Sequence, residues 1–186
     1  MTLRQRRPRL NRRAPTDEAI IREARPDEAA LLSGLALRSK AHWGYSQKFM
    51  QSCRDELRYS ESQLLDSKYQ FLLAERESSV AGFYALEQIA ERHYELEALF
   101  IEPEHIGKGF GRQLIEHAIK TVAAQSGEIL RIQGDPHAER FYLAAGAKPV
   151  GTRESGSIPG RFLPLFEIRF GPAIKPPGLH RLSSTP

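Results

Sequence analysis

Phe100-Ile101-Glu102-Pro103-Glu104-His105-Ile106-Gly107-Lys108-Gly109-Phe110-Gly111-Arg112-Gln113-Leu114 is the stretch on which the reading of this 186-residue chain turns. Ahead of it, Tyr94, Leu96, Ala98 and Phe100 alternate with Glu95, Glu97 and Leu99, and that period of two predicts a half-buried strand. Behind it, Phe110, Leu114, Ile115, Ala118, Ile119 and Val122 recur at helical spacing. A strand therefore runs through a loop of alternating glycines into a helix. Such a loop gathers unpaired backbone N–H groups at a helix N-terminus, where the helix dipole adds positive potential. Glycines admit positive φ and let a ligand approach the main chain closely. Lys108 and Arg112 add cationic side chains, so the expected object is a cradle for a phosphate or pyrophosphate.

Two phosphate loops fail against these residues. A P-loop needs a hydroxyl directly after its lysine, and Gly109 follows Lys108. The dinucleotide fingerprint needs a glycine three residues after the second glycine, and Arg112 stands there. The stretch resembles motif A of the GCN5-related N-acetyltransferases (GNAT), Gln/Arg-x-x-Gly-x-Gly/Ala, with Ile106 in place of Gln or Arg, Gly107 and Lys108 on the two intervening positions, and Gly109 and Gly111 on the two glycines. Asp135-Pro136-His137-Ala138-Glu139-Arg140-Phe141-Tyr142-Leu143-Ala144-Ala145-Gly146-Ala147 is similar to the family's later segment Asn-x-x-Ala-x-x-Phe-Tyr-x-x-x-Gly-Phe; Asp135 and Ala147 depart from it. The resemblance covers about Ala19 to Phe170.

The rest of the chain bounds the reading. Hydrophobic residues at 40% with 27% charged describe a globular domain large enough for its own core, without a membrane-spanning run. The single cysteine, Cys53, excludes an internal disulfide, fits a reducing cytoplasm, and reads as a small core residue. The net charge of +4 is concentrated in Arg4, Arg6, Arg7, Arg9, Arg12 and Arg13, ahead of a body near neutrality. Residues 1–17 are expected to be a disordered basic tail without a secretory core, and 172–186 a second disordered tail, around a domain at 18–171. Nucleic-acid and membrane partners are not expected.

In order, the body reads as a strand at Ala19 to Ala24, a helix opened by Pro26, a helix capped by Ser46, and a hairpin of Tyr69 to Glu75 with Val80 to Glu87. The central strand, loop and helix follow, then a strand at Glu128 to Gln133, a helix begun by Asp135 and stopped at Gly146, and strands at Val150 to Ser155 and Phe162 to Phe170. That order gives an α/β fold with a mixed, mostly antiparallel sheet and helices on both faces, which is also the GNAT order.

The resemblance implies transfer of an acetyl group from acetyl-CoA, as co-substrate, to a primary amine of a small molecule by direct attack. It implies cofactor contacts from Gly107, Lys108, Gly109, Phe110, Gly111, Arg112, Asp135, Ala138 and Tyr142, and from the main chain of Leu99, Phe100 and Ile101. Glu95 stands at the family's usual base position, with Glu97 two residues along; both also read as solvated carboxylates on an exposed strand face. Tyr142 is the candidate acid, or a packed aromatic beside Phe141. His42, Trp43 and Tyr45, in the connection between helices, and Arg161, in a glycine-rich connection, are candidate acceptor contacts; the aromatics read equally as core. No histidine spacing suggests a metal. A homodimer is compatible with this reading. A protein lysine or N-terminal acetyltransferase and a non-catalytic acyl-CoA-binding module remain the alternatives.

Overall fold

The computed structural model describes residues 19–171, so both tails expected to be disordered lie outside it. β1 (Ile20–Glu23) leads through a 3-10 turn at Pro26 into α1 (Ala29–Ala41). Arg22 holds this corner by donating to Glu28 at 2.8 and 3.0 Å and to Glu75 at 2.6 Å, which drops the Glu28 pKa to about 2. Ser46 caps α2 (Gln47–Ser52) by accepting from the Phe49 N–H at 3.2 Å. α2 ends at Ser52, and Cys53 and Leu57 are both buried from the turns that follow. α3 (Glu61–Leu65) was not expected; five residues are too few to display a helical period, and only its cap, Ser60, signals it.

β2 (Tyr69–Arg76), β3 (Ser79–Ala90) and β4 (His93–Ile101) form an antiparallel meander, followed by α4 (Phe110–Ala124), β5 (Ile129–Gln133), α5 (Glu139–Ala144), β6 (Lys148–Glu154) and β7 (Phe162–Arg169). The seven strands make one mostly antiparallel sheet in the order β1-β2-β3-β4-β5-β7-β6, in which only β4 and β5 run parallel. Helices cover both faces. On one, Phe110, Leu114, Ile115, Ala118 and Val122 of α4 pack on Tyr84, Leu86, Tyr94, Leu96, Leu130 and Ile132. On the other, Leu32, Leu35 and Ala36 of α1, with Cys53 and Leu57, pack on Phe71, Leu73, Phe83, Ala85 and Ala98. Each fully buried side chain of this size contributes about 1.5–3 kcal/mol.

Two irregularities in β4 create the space for a site. Leu86 faces Leu96 and Ala85 faces Ala98, which leaves Glu97 as the extra residue of a bulge. The single alternation expected from Tyr94 to Phe100 therefore reverses: Tyr94 and Leu96 join the α4 core, whereas Ala98 and Phe100 join the α1 core. In addition, β5 pairs with β4 only from His93 to Leu96, so the β4 edge beyond Leu96 is open.

Candidate active site

The open edge borders a cavity of about 640 Å³ lined by residues 95–101 of β4, the glycine loop, α5 and the 155–161 connection. At one end lies the loop. Gly107 and Gly109 have φ of 80° and 95°, and Gly109 is the N-cap of α4. Added β-carbons at either would meet nothing within 4 Å, so both glycines face free space. The first helical bond of α4 runs from the Gln113 N–H to the Gly109 carbonyl at 3.1 Å, and the N–H groups of Phe110, Gly111 and Arg112 precede it. These donors and the room before them suit a pyrophosphate. The loop is held by Glu102, which accepts from Arg38 of α1 at 2.7 and 3.0 Å.

Of the two cationic side chains expected to help, Arg112 lines the cavity and Lys108 does not. Arg112 donates to Glu116 at 2.7 Å along the exposed helix face, and Lys108 is exposed outside the cavity lining. Phe110 contributes only main chain, because its ring is buried against Leu114 and His105. Along β4, the Glu102 N–H reaches the Ala81 carbonyl of β3 at 2.9 Å, and the Ile101 N–H turns the other way, to Ser39 Oγ at 3.2 Å. Since amides alternate along a strand, the N–H of Leu99 also faces the open edge while that of Phe100 faces β3. Of the three amides expected to contact the cofactor, that of Ile101 is already engaged and that of Leu99 is the one directed at the cavity.

Glu95 and Glu97 differ in surroundings. Glu95 is buried and takes both terminal nitrogens of Arg153, one at 3.0 Å. Arg153 is itself clamped by Gln133 Oε1 at 2.8 and 3.0 Å. Glu97 is approached through the cavity, and the protein around it, with the charges of Glu87, Glu95 and Glu56, pushes its pKa up to about 7; Arg153 opposes the rise. Tyr142, also on the cavity wall, has its phenol pushed up by burial and by Asp135, so it holds its proton. A β-carbon on Gly134 would lie 2.9 Å from the Tyr142 ring, so this glycine allows the ring to sit where it does.

Asp135 and Arg161 depart from their expected roles. Tyr45 donates its hydroxyl to Asp135 at 2.7 and 2.8 Å, the His137 N–H reaches the same carboxylate at 3.0 Å, and Arg161 lies 3.7 Å from it. Arg161 also donates to the Tyr45 hydroxyl at 3.1 Å and covers the Phe49 ring at 4.6 Å. Asp135 is thus committed to a clasp joining three segments, and Arg161 is not free for a substrate carboxylate. Tyr45 belongs to that clasp rather than to the lining, His42 is exposed outside it, and Trp43 lines the rim, stacked on His137 at 5.2 Å. Ala138 reaches the cavity with its amide already bonded to the Asp135 carbonyl at 2.8 Å.

The acetyltransferase (GNAT) family model matches residues 36–147, well over half of the chain. The chain belongs to the GNAT acetyltransferase family. The PaiA N-acetyltransferase of Thermoplasma acidophilum, solved in complex with coenzyme A, is 24% identical with a TM-score of 0.68, covering 82% of this chain and 99% of that one. An aminoglycoside 6'-N-acetyltransferase complexed with coenzyme A is 19% identical with a TM-score of 0.62, covering 85% and 99%. A ribosomal-protein-alanine N-acetyltransferase from Brucella melitensis is 18% identical with a TM-score of 0.59, covering 81% and 99%. No curated protein matches the sequence.

For this GNAT domain, the residues that sequence reasoning missed are Arg153, Gln133, Ser39, Glu56 and Gly134. Only Gly134, at the end of a predicted strand, carried a local signal. The others act through pairings between distant elements. Among the described residues no group of three or more metal-ligating side chains converges, and no helix is long and apolar enough to cross a membrane.

Proposed function

We propose that this acetyltransferase moves the acetyl group of acetyl-CoA to a primary amine of a small molecule by direct attack. The observation that carries this reading is that one cavity joins the glycine loop, Glu97, the Leu99 amide and Tyr142. The main chain at Gly107 to Arg112 would hold the pyrophosphate. When bound, acetyl-CoA supplies the acetyl group and a thiolate leaving group. Glu97 takes the proton from the attacking amine, directly or through a water, because a base with a pKa near 7 is about half ionised at neutral pH and still accepts a proton. Leu99 N–H is oriented to stabilise negative charge on the acyl oxygen as the N–C bond forms and the C–S bond breaks. Tyr142 gives its proton to the departing sulfur. Glu95 acts through Arg153: the pair moderates the field at Glu97.

The clasp of Tyr45, Asp135 and Arg161 favours a small acceptor over a peptide, since it draws the helix connection and the 155–161 segment together at the cavity rim. The test is a thermal-shift titration with CoA and acetyl-CoA, followed by thiol release across polyamines, amino acids, aminoglycosides and lysine peptides. Stabilisation with release for a small amine supports the reading. Stabilisation with release only for peptides would replace it with a protein acetyltransferase, and stabilisation without release for any acceptor with a binding module.

A further inference from the structure

We infer that the acceptor carries a second cationic centre and no carboxylate, and that Glu56 recognises that second charge. This rests on the amine-acetyltransferase reading above and specifies its substrate class.

Four carboxylates set the potential where the amine must arrive. Glu95 is paired with Arg153, and Glu87, behind the wall, with Lys68 at 2.5 Å. Glu97 is reserved for the proton of the reacting amine. Glu56, in the turns after α2, lines the cavity, is exposed, and has no ion pair among the described residues; its charge reaches Glu97 and contributes to raising it. The cations of the wall are all committed: Arg153 to Glu95, Arg112 to Glu116, and Lys40 to Asp135 at 4.0 Å. Arg161 behind the rim also faces Asp135. Of the two histidines of the lining, His137 is stacked on Trp43 and His105 faces Glu104 at 3.4 Å.

A carboxylate on the acceptor would therefore meet no unpaired lysine or arginine of the wall and two acidic groups. An ammonium beyond the reacting amine would meet the free carboxylate of Glu56. The same field that raises Glu97 draws the acceptor in its protonated form and then lets Glu97 remove the proton.

The experiment compares hexylamine, hexamethylenediamine and aminohexanoate, which share a chain and differ in the far end, using the full chain and acetyl-CoA. The expected order of kcat/KM is diamine, monoamine, amino acid, in steps of about tenfold, with the first step carried by KM and reduced by salt. Glu56→Gln brings the ratio of diamine to monoamine close to one. Calorimetric titration of the diamine into the CoA complex reads the same preference without turnover, with weaker binding in Glu56→Gln. Equal kcat/KM for hexylamine and the diamine, a preference for aminohexanoate, or a ratio unmoved by Glu56→Gln overturns the inference while leaving amine acetylation standing. Thiol release with none of the three amines but with peptides would instead remove the reading beneath it.

Discussion

The two ends of the cavity are made of different material. The loop end offers main chain: the amides that open α4, freed by Gly107 and Gly109 at positive φ, with nearby Arg112 paired to Glu116. The acceptor end offers side chains brought from Glu56, Glu97, Arg153 and Tyr142, which are far apart in sequence and meet only because β4 bulges and parts from β5. Main-chain recognition tolerates changes in side-chain identity, which is why Ile106 in place of a polar residue need not disable the loop. Side-chain recognition does not, and the acceptor end is where related domains on one fold differ.

Breaking the loop end should have the largest effect. Gly109→Val places a β-branched residue at φ 95° and puts its side chain where the ligand would lie. Loss of CoA binding by at least about 100-fold is expected by calorimetry, with the circular dichroism of the fold retained; unchanged affinity would show that the loop is not the cradle.

The acceptor end should respond in chemistry rather than in cofactor affinity. Glu97→Gln is expected to lower kcat by about 10²–10⁴ with CoA affinity unchanged. Its stability effect has the opposite sign. A carboxyl whose pKa is raised to about 7 in the folded state contributes stability that is full below the ordinary carboxylate range and lost as pH rises through about 7. The variant should therefore melt no lower than the parent at pH 8, and a lower melting temperature there would contradict the assigned environment. Tyr142→Phe keeps the ring against Phe166 and should reduce kcat by about tenfold or more with CoA affinity nearly unchanged; equal turnover would remove the hydroxyl from the mechanism. The smallest and most discriminating change is Arg153→Gln. It leaves the buried Glu95 without its partner and removes the charge that holds Glu97 down, so the pH at which activity appears should move upward. An unmoved profile would separate the pair from the base.

What was legible in the sequence follows the same division. The strand, loop and α4 could be read because their signals are local: alternation, glycines, and apolar residues at helical spacing. The caps at Ser46 and Asp135 and the stop at Gly146 were readable for the same reason. The bulge at Glu97 was not, because its residues alternate faultlessly and only the Leu86 and Ala85 register on β3 displaces them. Arg153 was invisible because two strands separate it from its partner Glu95 in the sheet order β4-β5-β7-β6. At Asp135 the turn is legible, but the partners of its carboxylate, Tyr45 and Arg161, are not, because they reach it from other segments.

The most direct test is the pH dependence of kcat/KM for thiol release from acetyl-CoA, with the best amine of the panel, in the native chain and in Glu97→Gln. The account predicts that native activity rises with a limb near pH 7, in addition to any limb from the amine itself, and that this limb disappears in the variant. Persistence of the same limb in Glu97→Gln, with comparable rates, would show that the base lies elsewhere and would contradict the assignment of the acceptor end.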